Sequence, residues 1–374
     1  MNFGGTIVKT LLFLIYGNQR IYHLELTYSI LSAARFLKDT PGGLRIVLAA
    51  DAHNQRPDLP VEHLLLSPEM VDDWQMGGTY NHAIKIHALH HALVHFDAPV
   101  ILIDSDTVFR ADPARMFDRI GPGKALFHKR EGRLGDTLEV ADWRDLVAGS
   151  GGVVGGFPLT LDSVMFNSGV LGVDPQDVHL MDKIKAVMQD MRAHSRVFTA
   201  EQMAASLVLG AQTELSACDD LVDHYWGGPR DYYHYQMGQM FPDVLAGGGI
   251  TAPDQPLAPL VDDLRGRLDH RLAARIKRIQ RRAEPSYGAA YTAYLSALSL
   301  GDTDPKLAQV WAITALSILR WGLSEKPPQA VAQDFTQFSP DRIDLQTWMR
   351  PDLRDRWRAY WAEANSDSAF SPSQ

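Results

Sequence analysis

Val100-Ile101-Leu102-Ile103-Asp104-Ser105-Asp106-Thr107-Val108 is the stretch on which the fold turns. Four apolar residues in a row, bounded by polar ones, predict a short strand covered on both faces. In an extended segment residues two apart point the same way, so Asp104 and Asp106 leave the strand facing one site. Ligands of open α/β sheets bind at the carboxyl ends of the strands. Two carboxylates side by side there repel unless a cation joins them, and a hard divalent ion such as Mn²⁺ or Mg²⁺ is the expected partner. In the alternative reading both Asp residues cap the turn after the strand.

Working outward, short apolar runs alternate with helical patterns through the first half of the chain. Leu11 to Ile15 reads as a first strand, Ile21 to Leu37 as a helix and Arg45 to Ala49 as a second strand ending near Asp51. Thr79 to His95 reads as the helix that feeds the strand at Val100. This alternation predicts an α/β fold with parallel strands and crossover helices. Downstream, Met165 to Val173 holds two apolar stretches around the turn residues Asn167-Ser168-Gly169. A helix is expected from Val178 to His194. Thr199-Ala200-Glu201-Gln202 then fits a capping box that opens another. Gly149 to Gly156 reads as a mobile loop.

Between Gly247 and Pro259 the composition shifts to Gly, Pro and Ala. The expected division is therefore a first domain over residues 1–250, a helical region over 251–365 and a disordered tail over 366–374. In the helical region Leu264, Leu268, Leu272, Ile276 and Ile279 form one stripe, and Arg271, Arg275, Arg278 and Arg282 form another. The basic stripe reads as a solvated face or as a docking face for anionic lipid or glycan.

A chain of 374 residues with 45% hydrophobic content can bury a sizeable core. Its net charge of -9 excludes a general nucleic-acid binder. Cys218 is the single cysteine, which removes intramolecular disulfides and cysteine-based zinc clusters and fits the cytosol. No apolar run approaches the roughly 20 residues of a membrane span, so any membrane contact is expected to be peripheral. Oligomeric state is not set by the sequence.

Taken together, Ile103-Asp104-Ser105-Asp106-Thr107-Val108 with Asp112-Pro113, Phe166-Asn167-Ser168-Gly169-Val170, Glu201-Gln202 and His224-Tyr225-Trp226-Gly227 resembles glycosyltransferase family 8. This is the group of glycogenin and galactosyltransferase-like enzymes, and the resemblance covers roughly residues 8 to 235. It implies a GT-A fold, a Rossmann-like nucleotide-sugar-binding domain, with a C-terminal helical extension beyond it. It also implies a UDP-sugar donor, an acceptor hydroxyl of unknown identity, and retention at the anomeric carbon. Asp104, Asp106 and His224 are implied as ligands of Mn²⁺, a surface or core histidine being the plainer reading of His224. A neutral imidazole suits that borderline role independently of any family.

The resemblance places Asn167 and Ser168 on the donor-side loop, with turn residues satisfying their own backbone as the alternative, and makes Glu201 and Asn167 the candidate catalytic residues. Ser105, Gln202 and Gly227 complete the motifs as donor contacts. Two departures stand out: Glu201 replaces the family's usual Asp, and Gly227-Gly228-Pro229-Arg230 replaces a Lys-Pro-Trp element, leaving Arg230 to take the phosphate contact. Lys85 matches a basic residue directed at the diphosphate, with a solvated lysine as the alternative. Tyr16 and Tyr22 sit where a nucleobase stacks, and Asp51 where a base or ribose is reached; packing tyrosines and an exposed acid are the plainer readings.

His87, His91 and His95 recur every four residues, but a helix-borne histidine run with no third-element partner reads as a polar face rather than a zinc site. A HAD-type phosphohydrolase is the enzymatic rival, because its nucleophile motif also follows an apolar strand; that strand normally opens the domain, and here two strands precede it. A catalytically inactive sugar-nucleotide or glycan-binding protein is the non-enzymatic rival.

Overall fold

Lys9–Ile15 forms strand β1, whose alternate side chains feed two different cores: Leu11 and Phe13 pack on one face and Leu12 on the other. A strand apolar on both sides has to be covered on both sides, which is the layered α/β arrangement. The computed structural model describes residues 8–37, 43–137, 139–226, 230–251, 256–261, 266–321 and 333–365. The chain falls into two units, Met1–Trp226 with Met240–Ala258, and Gly227–Gln239 with Pro259–Gln374.

In the first unit β1 is followed by α1 (Arg20–Leu37), β2 (Leu44–Ala50), β3 (Glu62–Leu65), α2 (Pro68–Trp74), α3 (Ala83–Phe96) and β4 (Val100–Ile103). Next come β5 (Thr107–Phe109), β6 (Lys124–Phe127), β7 (Arg130–Arg133), α4 (Val140–Gly149), β8 (Val153–Val154) and β9 (Phe157–Pro158). Then follow β10 (Val164–Phe166), β11 (Val170–Val173), α5 (Leu180–His194), α6 (Ala200–Gln212), β12 (Glu214–Ala217) and β13 (Val222–His224).

Among the described residues the main sheet runs β12-β6-β11-β4-β1-β2-β3. Every neighbouring pair is parallel except those made by β11, which opposes both β4 and β6. This is the α/β class that the alternation predicts, with a parallel-dominated sheet. The register pairs Ile15 with Ala50 and Phe13 with Ile103, so the carboxyl ends of β1, β2 and β4 share one edge. Helices α3, α5 and α6 cover one face through residues such as Ile86, Leu89, Ile184, Val187 and Met203. Leu26 and Ile30 of α1, with Phe109, Leu221 and Val222, cover the other. Each aliphatic side chain so buried stabilises the fold by roughly 1.5–3 kcal/mol.

Three local expectations are corrected. The helix expected from Thr79 begins only at Ala83, because a turn precedes it in which Thr79 Oγ1 donates to Met76 O. The capping box at Thr199 does not form: Thr199 Oγ1 donates to Glu139 Oε2, and Gln202 is drawn elsewhere. The Gly149 to Gly156 stretch is not an unstructured loop. It ends α4 and builds the β8–β9 hairpin, whose turn needs the positive φ of Gly155 (53°) and Gly156 (83°).

In the second unit α7 (Arg230–Met240) leads; α8 (Pro242–Ala246) belongs to the first unit; α9 (Leu268–Arg281), α10 (Pro285–Leu300), α11 (Pro305–Trp321) and α12 (Pro351–Asn365) follow. Their core is aromatic, with Tyr287, Tyr294, Phe335, Phe338 and Trp357 buried together. Phe335 and Phe338 meet the Tyr294 ring edge-on at 5.1 and 5.0 Å, the arrangement that ring quadrupoles favour. Gly227, Leu264 and the tail over 366–374, all named in the sequence reading, lie outside the described residues.

Candidate active site

Strand β4 is buried along its whole length, and its end releases the acidic pair at the carboxyl edge of the sheet. The chain then turns into β5, where Thr107 Oγ1 donates to Asp104 O and is itself bonded to Ser29 of α1, a local lock on the turn. Strand β13 pairs antiparallel with β5, setting His224 opposite Thr107. That one pairing carries the imidazole across 118 residues of sequence to the acidic pair: His224 Nε2 lies 3.1 Å from Asp106 Oδ1 and 3.9 Å from Asp104 Oδ2. One ligand atom from each of the three lies within 4.8 Å of the others, a set able to hold a metal ion.

The other imidazole nitrogen supports the same reading. His224 Nδ1 is 2.8 Å from the acceptor Asn167 Oδ1, so in the neutral tautomer that donates there the Nε2 lone pair faces two carboxylates. A lone pair directed at two anions is unfavourable unless a cation sits among them. Two hard oxygen donors and one imidazole fit a divalent ion such as Mn²⁺ or Mg²⁺, and a hydrogen bond that fixes the tautomer is how metal-binding histidines are usually oriented. Gly169 makes room for this: a Cβ there would overlap the His224 ring.

Asn167 is fixed in turn. Its Oδ1 also accepts from Gly169 N at 2.9 Å, and its Nδ2 donates to Glu131 Oε1 at 2.7 Å. The second oxygen of Glu131 accepts from Gln202 Nε2 at 2.8 Å, while Gln202 Oε1 accepts from the backbone N–H of Ser168 at 2.9 Å. One carboxylate thus ties the β10–β11 turn to the first turn of α6. Residues 167, 168, 201 and 202 are all buried.

Lys85 is buried rather than solvated. Its Nζ donates to Asp104 Oδ2 at 2.8 Å and to Ser168 O and Oγ, both at 3.2 Å, and lies 4.0 Å from Glu201 Oε1. Burial alone would lower its pKa, but Asp104 and Glu201 outweigh that and hold it above the ordinary lysine value. Glu201 is gripped by Tyr80, whose hydroxyl contacts its Oε2 and also accepts from the Glu201 backbone N–H at 3.1 Å.

Of the remaining candidates, Tyr16 stands beside the site, within reach of the charges of Lys85, Asp104 and Glu201. Tyr16 sits at the end of β1, donates to Asn81 O at 3.3 Å and is pushed up to about 12 by burial; Tyr22 is an exposed residue of α1. Asp51 uses both carboxylate oxygens to close its own turn, accepting from His53 N, Asn54 N and Asn54 Nδ2. Ser105 points away from its two acidic neighbours, with its Oγ 3.3 Å from Glu25 Oε2. Arg230 opens α7, in the second unit. Trp74 of α2 stacks on His87 of α3, and His91 stacks on His95.

Sequence reasoning missed Glu131, Tyr80 and the requirement at Gly169. Glu131 lies in a polar run with no periodic signal; Tyr80 precedes α3 in a turn; only the Asn-Ser-Gly triplet hinted at Gly169.

No protein-family model matches the chain, and no curated protein does. Among solved structures it is similar to the galactosyltransferase LgtC in complex with donor and acceptor sugar analogues, at 13% identity and a TM-score of 0.40, over 65% of this chain and 97% of that one. It is also similar to mouse xyloside xylosyltransferase 1 in its apo form, at 13% identity and a TM-score of 0.38, over 57% of this chain and 85% of that one.

Proposed function

We propose that this protein is a metal-dependent glycosyltransferase with a GT-A domain, moving a hexose from a UDP-type nucleotide sugar to an acceptor hydroxyl with retention at the anomeric carbon. The observation that carries the reading is the convergence of Asp104, Asp106 and His224 at the carboxyl edge of a parallel-dominated sheet. Asp104, Asp106 and His224 would hold the cation, which when bound neutralises a diphosphate and stabilises the charge of the departing nucleotide. Lys85 adds a buried positive charge beside Asp104, where an anionic leaving group gains from it. Asn167 keeps the His224 tautomer, and Glu201, held between Tyr80 and Lys85, faces the sugar. Tyr16 and Tyr22 are assigned to the base.

A HAD-type phosphohydrolase, whose first acid is the nucleophile, does not need an imidazole brought onto its acidic pair, so the convergence favours transfer of a sugar. Thermal unfolding with a panel of nucleotide sugars, with and without Mn²⁺, tests the assignment. A donor at a hundredfold excess over its Kd stabilises the fold by about 2.7 kcal/mol. The expected result is a stabilisation by UDP-sugars that needs metal and vanishes in Asp106→Ala, with transfer falling by about 10²–10³-fold. No metal-dependent shift with any nucleotide would sink the assignment.

A further inference from the structure

Helix α9 is built inside out. Its inward contacts are small or charged: Ala274 is buried, Gly288 of α10 lies against Ala274 and Arg278, and Lys277 and Arg281 reach Asp334 at 3.1 and 2.6 Å. Its large apolar residues face water, with Leu268 64%, Leu272 51%, Ile276 58% and Ile279 62% exposed. At about 100° per residue these four form one stripe opposite Ala274, with Arg271 and Arg275 along one border of it.

We propose that this face of α9 is an interfacial helix that docks on an anionic lipid bilayer, the apolar stripe entering the headgroup boundary and the arginines meeting lipid phosphates. Charge selects this occupant. Between Arg265 and Arg282 the chain has eight basic residues and one acidic one, Asp269, although its net charge is -9. Asp269 is itself bonded to Arg267. A second copy meeting the same strip antiparallel about a two-fold axis would oppose arginine to arginine, and a parallel one would set the arginines against the opposite border, whose one acid, Asp269, Arg267 already holds. A polyanionic glycan would answer the arginines and leave four large aliphatic side chains in water. A bilayer with anionic headgroups satisfies the apolar stripe and its arginine border at once. No described helix is long and apolar enough to cross a membrane, so the contact is one of lying on the surface.

The test is cosedimentation of the full chain with vesicles of phosphatidylcholine alone or mixed with phosphatidylglycerol. The protein should pellet with the mixed vesicles only and come off as salt rises. Arg271→Gln and Arg275→Gln should each weaken binding about fivefold, and the double variant Leu272→Ser, Ile276→Ser by on the order of tenfold or more while keeping its circular dichroism. Equal binding to neutral vesicles, or none to either, overturns the proposal. So does loss of binding in the arginine variants alone, which would mark a polyanion site, or a dimer that the double variant dissolves, which would give the stripe to a second copy. Metal-dependent stabilisation by UDP-sugars is read on different residues, so either conclusion can fail without the other.

Discussion

Strand β4 and helix α9 both repeat large aliphatic side chains, and they use them in opposite ways. Val100, Ile101, Leu102 and Ile103 disappear between two layers of their own unit, while Leu268, Leu272, Ile276 and Ile279 stand in water. The strand is held by what covers it. The helix is held by its other face, where Ala274 allows close approach and Asp334 gathers Lys277, Arg281 and Tyr287. A hydrophobic pattern therefore tells which residues travel together, and leaves open what they meet.

The comparison is broken most directly by truncation. Leu102→Ala should cost about 2–5 kcal/mol in denaturant unfolding, since the site cannot collapse around the lost atoms; a cost below about 1 kcal/mol would mean β4 is not the central wall it is described to be. In the β10–β11 turn, Asn167→Ala should leave the fold standing and weaken Mn²⁺ binding by roughly 10–100-fold, because the imidazole loses the partner that orients it. Titration calorimetry reads this, and unchanged metal affinity would remove Asn167 from the site.

On α9 the corresponding effect is electrostatic. Burial would raise the Asp334 pKa, but hydrogen bonds from Arg281, Tyr287 and Lys277 outweigh it and hold the carboxyl below its ordinary value. Its contribution is then complete above the unfolded value of about 3.9 and fades as pH falls through the lower folded one. Asp334→Asn should cost about 1–2 kcal/mol near neutrality, the pairs being partly solvated. The gap in melting temperature between it and the native protein should close on acidification; a gap that widened would reverse the assignment. The smallest effect is expected for Leu272→Ser, within about 0.5 kcal/mol in either direction, and a large loss would show that the stripe is packed after all.

Much of the first unit was legible before any coordinates. The strand at Val100 was placed to the residue, and β1, β2, β10 and β11 to within two, because uninterrupted apolar runs between turn residues have few other solutions. The acidic pair was legible for the same reason. Glu131 was not, since a carboxylate in a polar strand looks like any solvated acid until Asn167 and Gln202 close on it. Asp51 went the other way: a promising acid at a strand end turned out to satisfy its own turn. The capping box failed because Gln202 had a stronger use for its amide, bridging Ser168 and Glu131.

What the sequence determined by itself was local: the period of each element, the α/β class, and two carboxylates facing one way at the end of a strand. Only the tertiary structure decided that His224 reaches them, because that rests on the pairing of β13 with β5 across more than a hundred residues, and that Lys85 is buried beside them rather than solvated. It likewise decided that the stripe of α9 turns outward. Periodicity is a property of neighbours along a chain, whereas convergence and exposure depend on which distant surfaces close on one another.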